Sequence, residues 1–182
     1  MRRLLALVVL FVVLGACRTA APPPAPSLEV VLVRHAEKAD DGTRDPDLTD
    51  AGRARAAALA ERLTGERLVA VYATEFVRTQ ETARPTAEAA GLDVTLEPVG
   101  TDGVPAFTAR MAERVRSHLS PDGGTVLVVG HSNTTPDLAA ALTGQPVEPM
   151  PETEYDRVMV VTLDADGGRL TTSRLAVPSS PR

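Results

Sequence analysis

Three short aliphatic runs constrain this chain most: Leu28 to Val33, Leu68 to Tyr72 and Thr125 to Val129. They are nearly continuous rather than alternating, the pattern of strands buried on both faces and therefore of a parallel sheet covered on each side. Between them lie segments with helical spacing, such as Ala54, Ala57, Ala58, Leu59 and Leu63. Strand and helix in alternation predict a three-layer α/β domain. The residues that follow each run are polar: Arg34-His35 after the first, the turn that leads to Arg78 after the second, Gly130-His131 after the third. Ligands of open α/β sheets bind outside the carboxyl ends of the strands, so two histidines and two arginines far apart in sequence are expected to meet in one crevice.

The rest of the chain fits this scheme. Thr49 or Asp50 is a candidate N-cap for the helix that follows Leu48. The helix after the second strand runs to about Ala90 with Gly91 as its C-cap, and Pro85 inside it predicts either a kink or a shorter helix that begins near it. Val94 to Leu96 is a weak third strand, and a helix is expected from about Pro105 to Leu119, before the Pro121-Asp-Gly-Gly turn. Pro136 suits a first helical turn after the loop Ser132-Asn133-Thr134. Arg157 to Leu163 and Leu170 to Val177, separated by Asp164 to Gly168, read as an antiparallel hairpin at one edge of the mostly parallel central sheet.

The amino terminus reads differently. Met1-Arg2-Arg3, an apolar run from Leu4 to Leu14 and the small residues Gly15-Ala16 before Cys17 describe a secretory signal over residues 1–16. A membrane-spanning helix would need roughly 20 apolar residues. Leu14-Gly15-Ala16-Cys17 resembles the bacterial lipobox, which implies lipidation of Cys17, the only cysteine. The Pro-rich stretch within 17–27 reads as an extended tether, and 28–178 as the domain. The expected location is thus the bacterial envelope, exported and lipid-anchored. Arg18 in place of aspartate after the cysteine implies, again by resemblance, the periplasmic side of the outer membrane.

About 155 residues from Ser27 onward suffice for one compact domain. With no Trp, two Tyr and three Phe, its core must rest on Val, Leu and Ala. Losing Arg2 and Arg3 with the signal takes the formal charge from −5 to −7, which argues against nucleic acid as a partner. No metal-spaced Cys/His cluster is present in the sequence, and no metal or cofactor is expected.

The chemistry these side chains suit is the handling of phosphate. Arginine meets phosphate bidentately through a planar fork, and imidazole can act as a covalent nucleophile that divides one hard displacement into two easier ones. His35 is the expected nucleophile. His131 is expected across the pocket, donating to phosphoryl oxygens, with backbone N–H groups after Gly130 and the helix near Pro136 adding positive potential. Arg34 and Arg78 would neutralise the charge, and Asn133 is a further candidate for binding. Glu37 is near enough to His35 in sequence to act as acid or orienting carboxylate. His118 lacks a motif and reads as a packing or surface residue, and Arg44, Arg53, Arg55 and Lys38 as solvated charges. Tyr155 suits equally the mouth of the site and an ordinary strand edge.

At these residues the chain resembles the histidine phosphatase superfamily, the phosphoglycerate-mutase-like fold. Arg34-His35-Ala-Glu37 matches its Arg-His-Gly signature with alanine for glycine, Arg78-Thr-Gln-Glu-Thr82-Ala83 its second arginine motif, and Gly130-His131-Ser132-Asn133 its second histidine motif. The likeness runs from Leu28 to Leu163. It implies that His35 carries the phosphoryl group, that Arg34, Arg78 and His131 form the phosphate pocket, and that no metal takes part. In the mutase-like branch the general acid is a glutamate just after the third strand, a place held here by Glu97 with Asp102 close behind.

The expected activity is therefore hydrolysis of a phosphomonoester or of phosphohistidine, on a small phosphorylated molecule or a phosphoprotein, with the membrane met only through the lipid. A mutase-type phosphotransferase and a non-catalytic phosphate-binding lipoprotein are the alternatives. Short connections between the motifs disfavour the first, and retention of both histidines disfavours the second. A Ser132 esterase fits poorly, because Thr134 stands where the Gly-x-Ser-x-Gly elbow needs glycine and no histidine follows His131.

Overall fold

The structure, a computed structural model, describes residues 25–177. The signal segment, Cys17 and most of the expected tether lie outside them. Six strands and four helices follow in order: β1 (Ser27–Arg34), α1 (Asp50–Arg62), β2 (Leu68–Ala73), α2 (Val77–Ala90), β3 (Val94–Leu96), α3 (Gly103–Arg116), β4 (Thr125–Gly130), α4 (Thr134–Thr143), β5 (Arg157–Asp164) and β6 (Gly167–Arg174). The strands form one sheet in the order β3-β2-β4-β1-β5-β6. The first four in that order are parallel, and β5 and β6 close the edge antiparallel, as expected.

Two cores on opposite faces follow from the two-residue side-chain period of a strand. Val30, Leu32, Val126 and Val128 pack with Phe107 and Met111 of α3 and Leu138 of α4. Their neighbours Val31, Val33, Leu127 and Val129 pack on the other face with Ala58 and Leu59 of α1 and Ala83 and Ala87 of α2. Every residue of β4 is buried, because it lies inside the sheet and is covered on both sides.

The bounds differ from expectation in instructive places. Thr49, not Asp50, caps α1, its hydroxyl accepting from the N–H of Gly52. Pro85 does not start a shorter helix, since α2 runs through it from Val77 to Ala90. The loss of one backbone donor is offset there by burial of Ala83, Thr86 and Ala87 on both sides of it. The helix α3 begins at Gly103 and ends at Arg116, so it is shifted toward the N-terminus from the expected Pro105 to Leu119. The hairpin is tighter than its Gly-rich connection suggested: Gly167 and Gly168 already pair with Asp164 and Leu163, so β6 ends at Arg174 rather than Val177. Ser27, placed at the end of the tether, is already strand and pairs with Asp164.

Candidate active site

Strand register brings the histidines together. Arg34 of β1 lies beside Gly130 of β4, so His35 and His131, the next residues in each chain segment, leave the sheet side by side. Their ring centroids are 5.4 Å apart and the rings meet edge to face. Gly130 lets Thr134 approach the end of β4 closely, because a Cβ at that position would stand 2.5 Å from the Thr134 hydroxyl oxygen. That hydroxyl accepts from the His131 backbone N–H at 2.8 Å.

His35 is held from three sides. Its N–H donates to Gly130 O, the next N–H, of Ala36, donates to Thr82 Oγ1 on α2, and its own Nδ1 lies 2.7 Å from Ala36 O. A carbonyl can only accept, so Nδ1 carries the proton and Nε2 keeps a free lone pair. Burial lowers the His35 pKa to about 3; the Ala36 hydrogen bond works against this, while His131, Arg34 and Arg78 add to it. The imidazole is therefore neutral at neutral pH.

His131 is fixed by a hydroxyl relay. Its Nε2 lies 2.9 Å from Thr74 Oγ1, which lies 3.0 Å from Thr79 Oγ1, whose hydroxyl reaches the carbonyls of Phe76 and Thr74. All these contacts carry a proton only if Thr79 donates to a carbonyl, Thr74 to Thr79, and His131 Nε2–H to Thr74. Nδ1 of His131 is then the free nitrogen. Burial, then Arg78, lower its pKa to about 4, with Glu75 opposing. Phe76 closes one side, its ring perpendicular to that of His131 at 5.2 Å.

The arginines flank the pair. Arg34 is buried, with Nη1 donating to the carbonyls of Pro151, Glu152 and Glu154 and Nη2 to the Glu152 carboxylate at 2.7 Å. Its guanidinium lies over the Tyr155 ring, and that ring is 6.0 Å from His35, so Tyr155 lines the site rather than a bare strand edge. Arg78, in the first turn of α2, stacks on Phe76 and donates to Asp45 at 3.2 Å. The Nε atoms of Arg34 and Arg78 are both buried without a hydrogen-bond partner. Two unsatisfied cationic donors beside two neutral imidazoles form a site prepared for an anion.

The three carboxylates expected as acids are not brought to the pair by hydrogen bonds. Glu37 is taken by Arg55, which donates to both its oxygens at 2.9 and 2.6 Å. Burial raises its pKa, but the hydrogen bonds and charge of Arg55 outweigh this and leave it below the ordinary carboxylate value. Glu37 is thus an anchoring carboxylate, unsuited to holding a proton, and Arg55 is its partner rather than a solvated charge. Glu97 follows β3 as expected but pairs with Arg110 and Arg114 of α3, at 3.4 and 3.0 Å. Asp102 pairs with Arg110 at 2.6 Å. Asn133 precedes α4, exposed, its side chain making no cap. His118 packs against Tyr72, whose hydroxyl is 2.7 Å from its Nε2.

Sequence reasoning missed Thr74, Phe76, Asp45, Glu75 and Glu152. Thr74 and Phe76 lie in the same strand-to-helix turn as Arg78 and were within reach of the strand-end argument. Glu152 had no signal, since it comes from the loop between α4 and β5.

Residues 30–99 match the model of the histidine phosphatase superfamily (branch 1), a stretch that includes His35 and Arg78 and ends before His131. The chain is 39% identical over 77 residues to the probable phosphoglycerate mutase GpmB of Enterobacter sp. (strain 638), covering 39% of this chain and 36% of that protein. It is 38% identical over 76 residues to phosphoserine phosphatase 1 of Hydrogenobacter thermophilus, covering 38% of this chain and 36% of the relative. The matched part thus spans little more than a third of these curated relatives. The fold is similar to that of the protein histidine phosphatase SixA solved with tungstate, with a TM-score of 0.63 at 22% identity over 80% of this chain and 96% of that one. The architecture is the phosphoglycerate-mutase-like one, and the matches support the histidine phosphatase superfamily, whose relatives here include both phosphatases and a mutase.

Proposed function

We propose that this chain is a histidine phosphatase superfamily member that hydrolyses phosphomonoesters, or phosphohistidine, through a phosphohistidine on His35. The observation that carries the reading is the neutral His35 imidazole, its Nδ1 proton held by Ala36 O, beside His131 and near two arginines whose buried Nε atoms have no partner. Nε2 of His35 attacks phosphorus, and the bond from phosphorus to the leaving oxygen breaks. Arg34, Arg78 and His131 meet the equatorial oxygens, where charge must be neutralised. An entering phosphate dianion raises the pKa of the imidazole beside it, so His131 can take a proton and donate from Nδ1. Water then attacks phosphorus and gives up a proton, the bond from phosphorus to Nε2 breaks with its electron pair returning to the imidazole, and inorganic phosphate leaves.

The test is a rapid quench after reaction with a labelled aryl phosphate. Acid-labile, alkali-stable label is expected on the protein and is absent in His35→Ala, which also loses several orders of magnitude in rate; Ser132→Ala keeps the label. Full activity in His35→Ala overturns the reading. The nearly equal identity to a mutase and a phosphatase keeps one alternative, a mutase-type phosphotransferase. It requires label to move to an isomeric acceptor faster than to water. The reading also includes an envelope location through lipid on Cys17, supported by Leu14-Gly15-Ala16 before it. An unmodified N-terminus downstream of Cys17 in the mass spectrum of the protein made in a bacterial host defeats that part alone.

A further inference from the structure

Two carboxylates pair with the pocket arginines, and the charge of a third, Glu75, reaches Arg78. Glu152, from the loop before β5, places one oxygen 2.7 Å from Arg34 Nη2 and accepts the Ser132 hydroxyl with the other. Asp45, from the loop before α1, lies 3.2 Å from Arg78 Nη1, and both its oxygens are 3.1 Å from the N–H of Val77. Glu75 belongs to the same turn as Thr74, the residue bonded to His131, and accepts the N–H of Val99 at 3.1 Å. The side chain of Glu152 is 78% exposed and Glu75 is exposed as well, and the charges of both reach His131, which puts two solvent-facing carboxylates beside the pocket.

With both histidines neutral, two positive charges stand against three negative ones before any substrate arrives. The fields of Glu75 and Glu152 reach His131 and act against the lowering of its pKa. A phosphoryl group still finds the buried Nε donors of Arg34 and Arg78. A second anionic group on the same molecule would meet the exposed carboxylates at the mouth, while both pocket arginines are already engaged by carboxylates and by the phosphoryl group. Like-charge juxtaposition of this kind is how a site rejects a competitor that shares the recognised group.

We propose that Glu75 and Glu152 are specificity-determining residues that restrict this site to phosphate esters whose remaining moiety is uncharged or cationic, and that exclude bifunctional anions such as phosphorylated carboxylic acids. This rests on the hydrolase reading above and names its substrate class.

The experiment measures kcat/KM of the full-length protein at pH 7 and low salt for phosphoethanolamine, glycerol 3-phosphate and 3-phosphoglycerate, with p-nitrophenyl phosphate as the control for catalytic competence. The first two are expected to exceed 3-phosphoglycerate by roughly tenfold or more, a factor that shrinks as salt screens the rim charges. Glu152→Gln and Glu75→Gln should each raise 3-phosphoglycerate relative to glycerol 3-phosphate about threefold to tenfold, the effect of removing one partly solvated charge. If 3-phosphoglycerate is cleaved as well as glycerol 3-phosphate while the aryl ester turns over, the selectivity is wrong and the hydrolase reading stands. If the glutamine variants change all substrates by one common factor, these residues support structure only and the inference falls. If no ester, the aryl one included, is cleaved, the hydrolase reading fails and takes the inference with it.

Discussion

The carboxyl ends of β1, β2 and β4 and the corner where β3 meets α3 are both crowded with charge, yet they are opposites in chemistry. At the first, Arg34 and Arg78 keep a buried Nε without an acceptor, and two imidazoles are held neutral by burial. At the second, Glu97, Asp102, Arg110 and Arg114 satisfy one another in a continuous run of ion pairs. A cluster whose donors and acceptors are matched has nothing left to offer a ligand. One with buried, unmatched donors retains a desolvation cost that only an incoming group removes. The contrast leaves the Glu97 carboxylate occupied by Arg110 and Arg114, although its backbone N–H bonds Ala73 O beside the Thr74 that touches His131.

The largest effect that sharpens this contrast is expected from Arg78→Ala. Hydrogen bonds to charged groups contribute about 1.5–3 kcal/mol, so kcat/KM for an aryl phosphate should fall roughly tenfold to a hundredfold or more. A loss below about threefold would mean that the unmatched Nε is not a phosphate donor.

Next in size is the effect of pH on stability. Both histidines have pKa values below the ordinary 6.5, at about 3 for His35 and about 4 for His131, so the unfolded chain binds more protons in this range. Their contribution is present in full above pH 6.5 and is lost as pH falls toward 4 and then 3. Urea unfolding of His35→Asn at pH 7, 5 and 4 should show a shallower decline than the parent protein. Equal slopes would refute the neutral, buried imidazole.

The smallest effect belongs to the corner. Arg110 and Arg114 are 41% and 49% exposed, and ion pairs of such groups contribute about 0–1 kcal/mol. Glu97→Gln is therefore expected to change aryl phosphate turnover less than about threefold. A loss of a hundredfold, growing with poorer leaving groups, would restore Glu97 as the general acid and dissolve the distinction drawn here.

Periodicity alone was sufficient for the α/β alternation, the edge hairpin and the placing of His35 and His131 at strand ends, because a strand buried on both faces leaves a local signature in every residue it contains. Arg34 and Arg78 were legible for the same reason, each being tied to a strand end or the first turn after it. The bounds of α3 and β6 and the continuity of α2 through Pro85 were not, since burial against the sheet and pairing with β5 override local preference. The register of β1 against β4 was likewise decided only in the fold, and with it the 5.4 Å between the two rings. The partners of each charge were decided there as well. Glu37 lies two residues from His35 but is turned to Arg55 on α1, whereas Glu152, 118 residues from Arg34, reaches it directly. A side chain's type is written in the sequence, but its partner depends on which elements pack together, and Coulomb and hydrogen-bond energies respond to distance in space rather than along the chain.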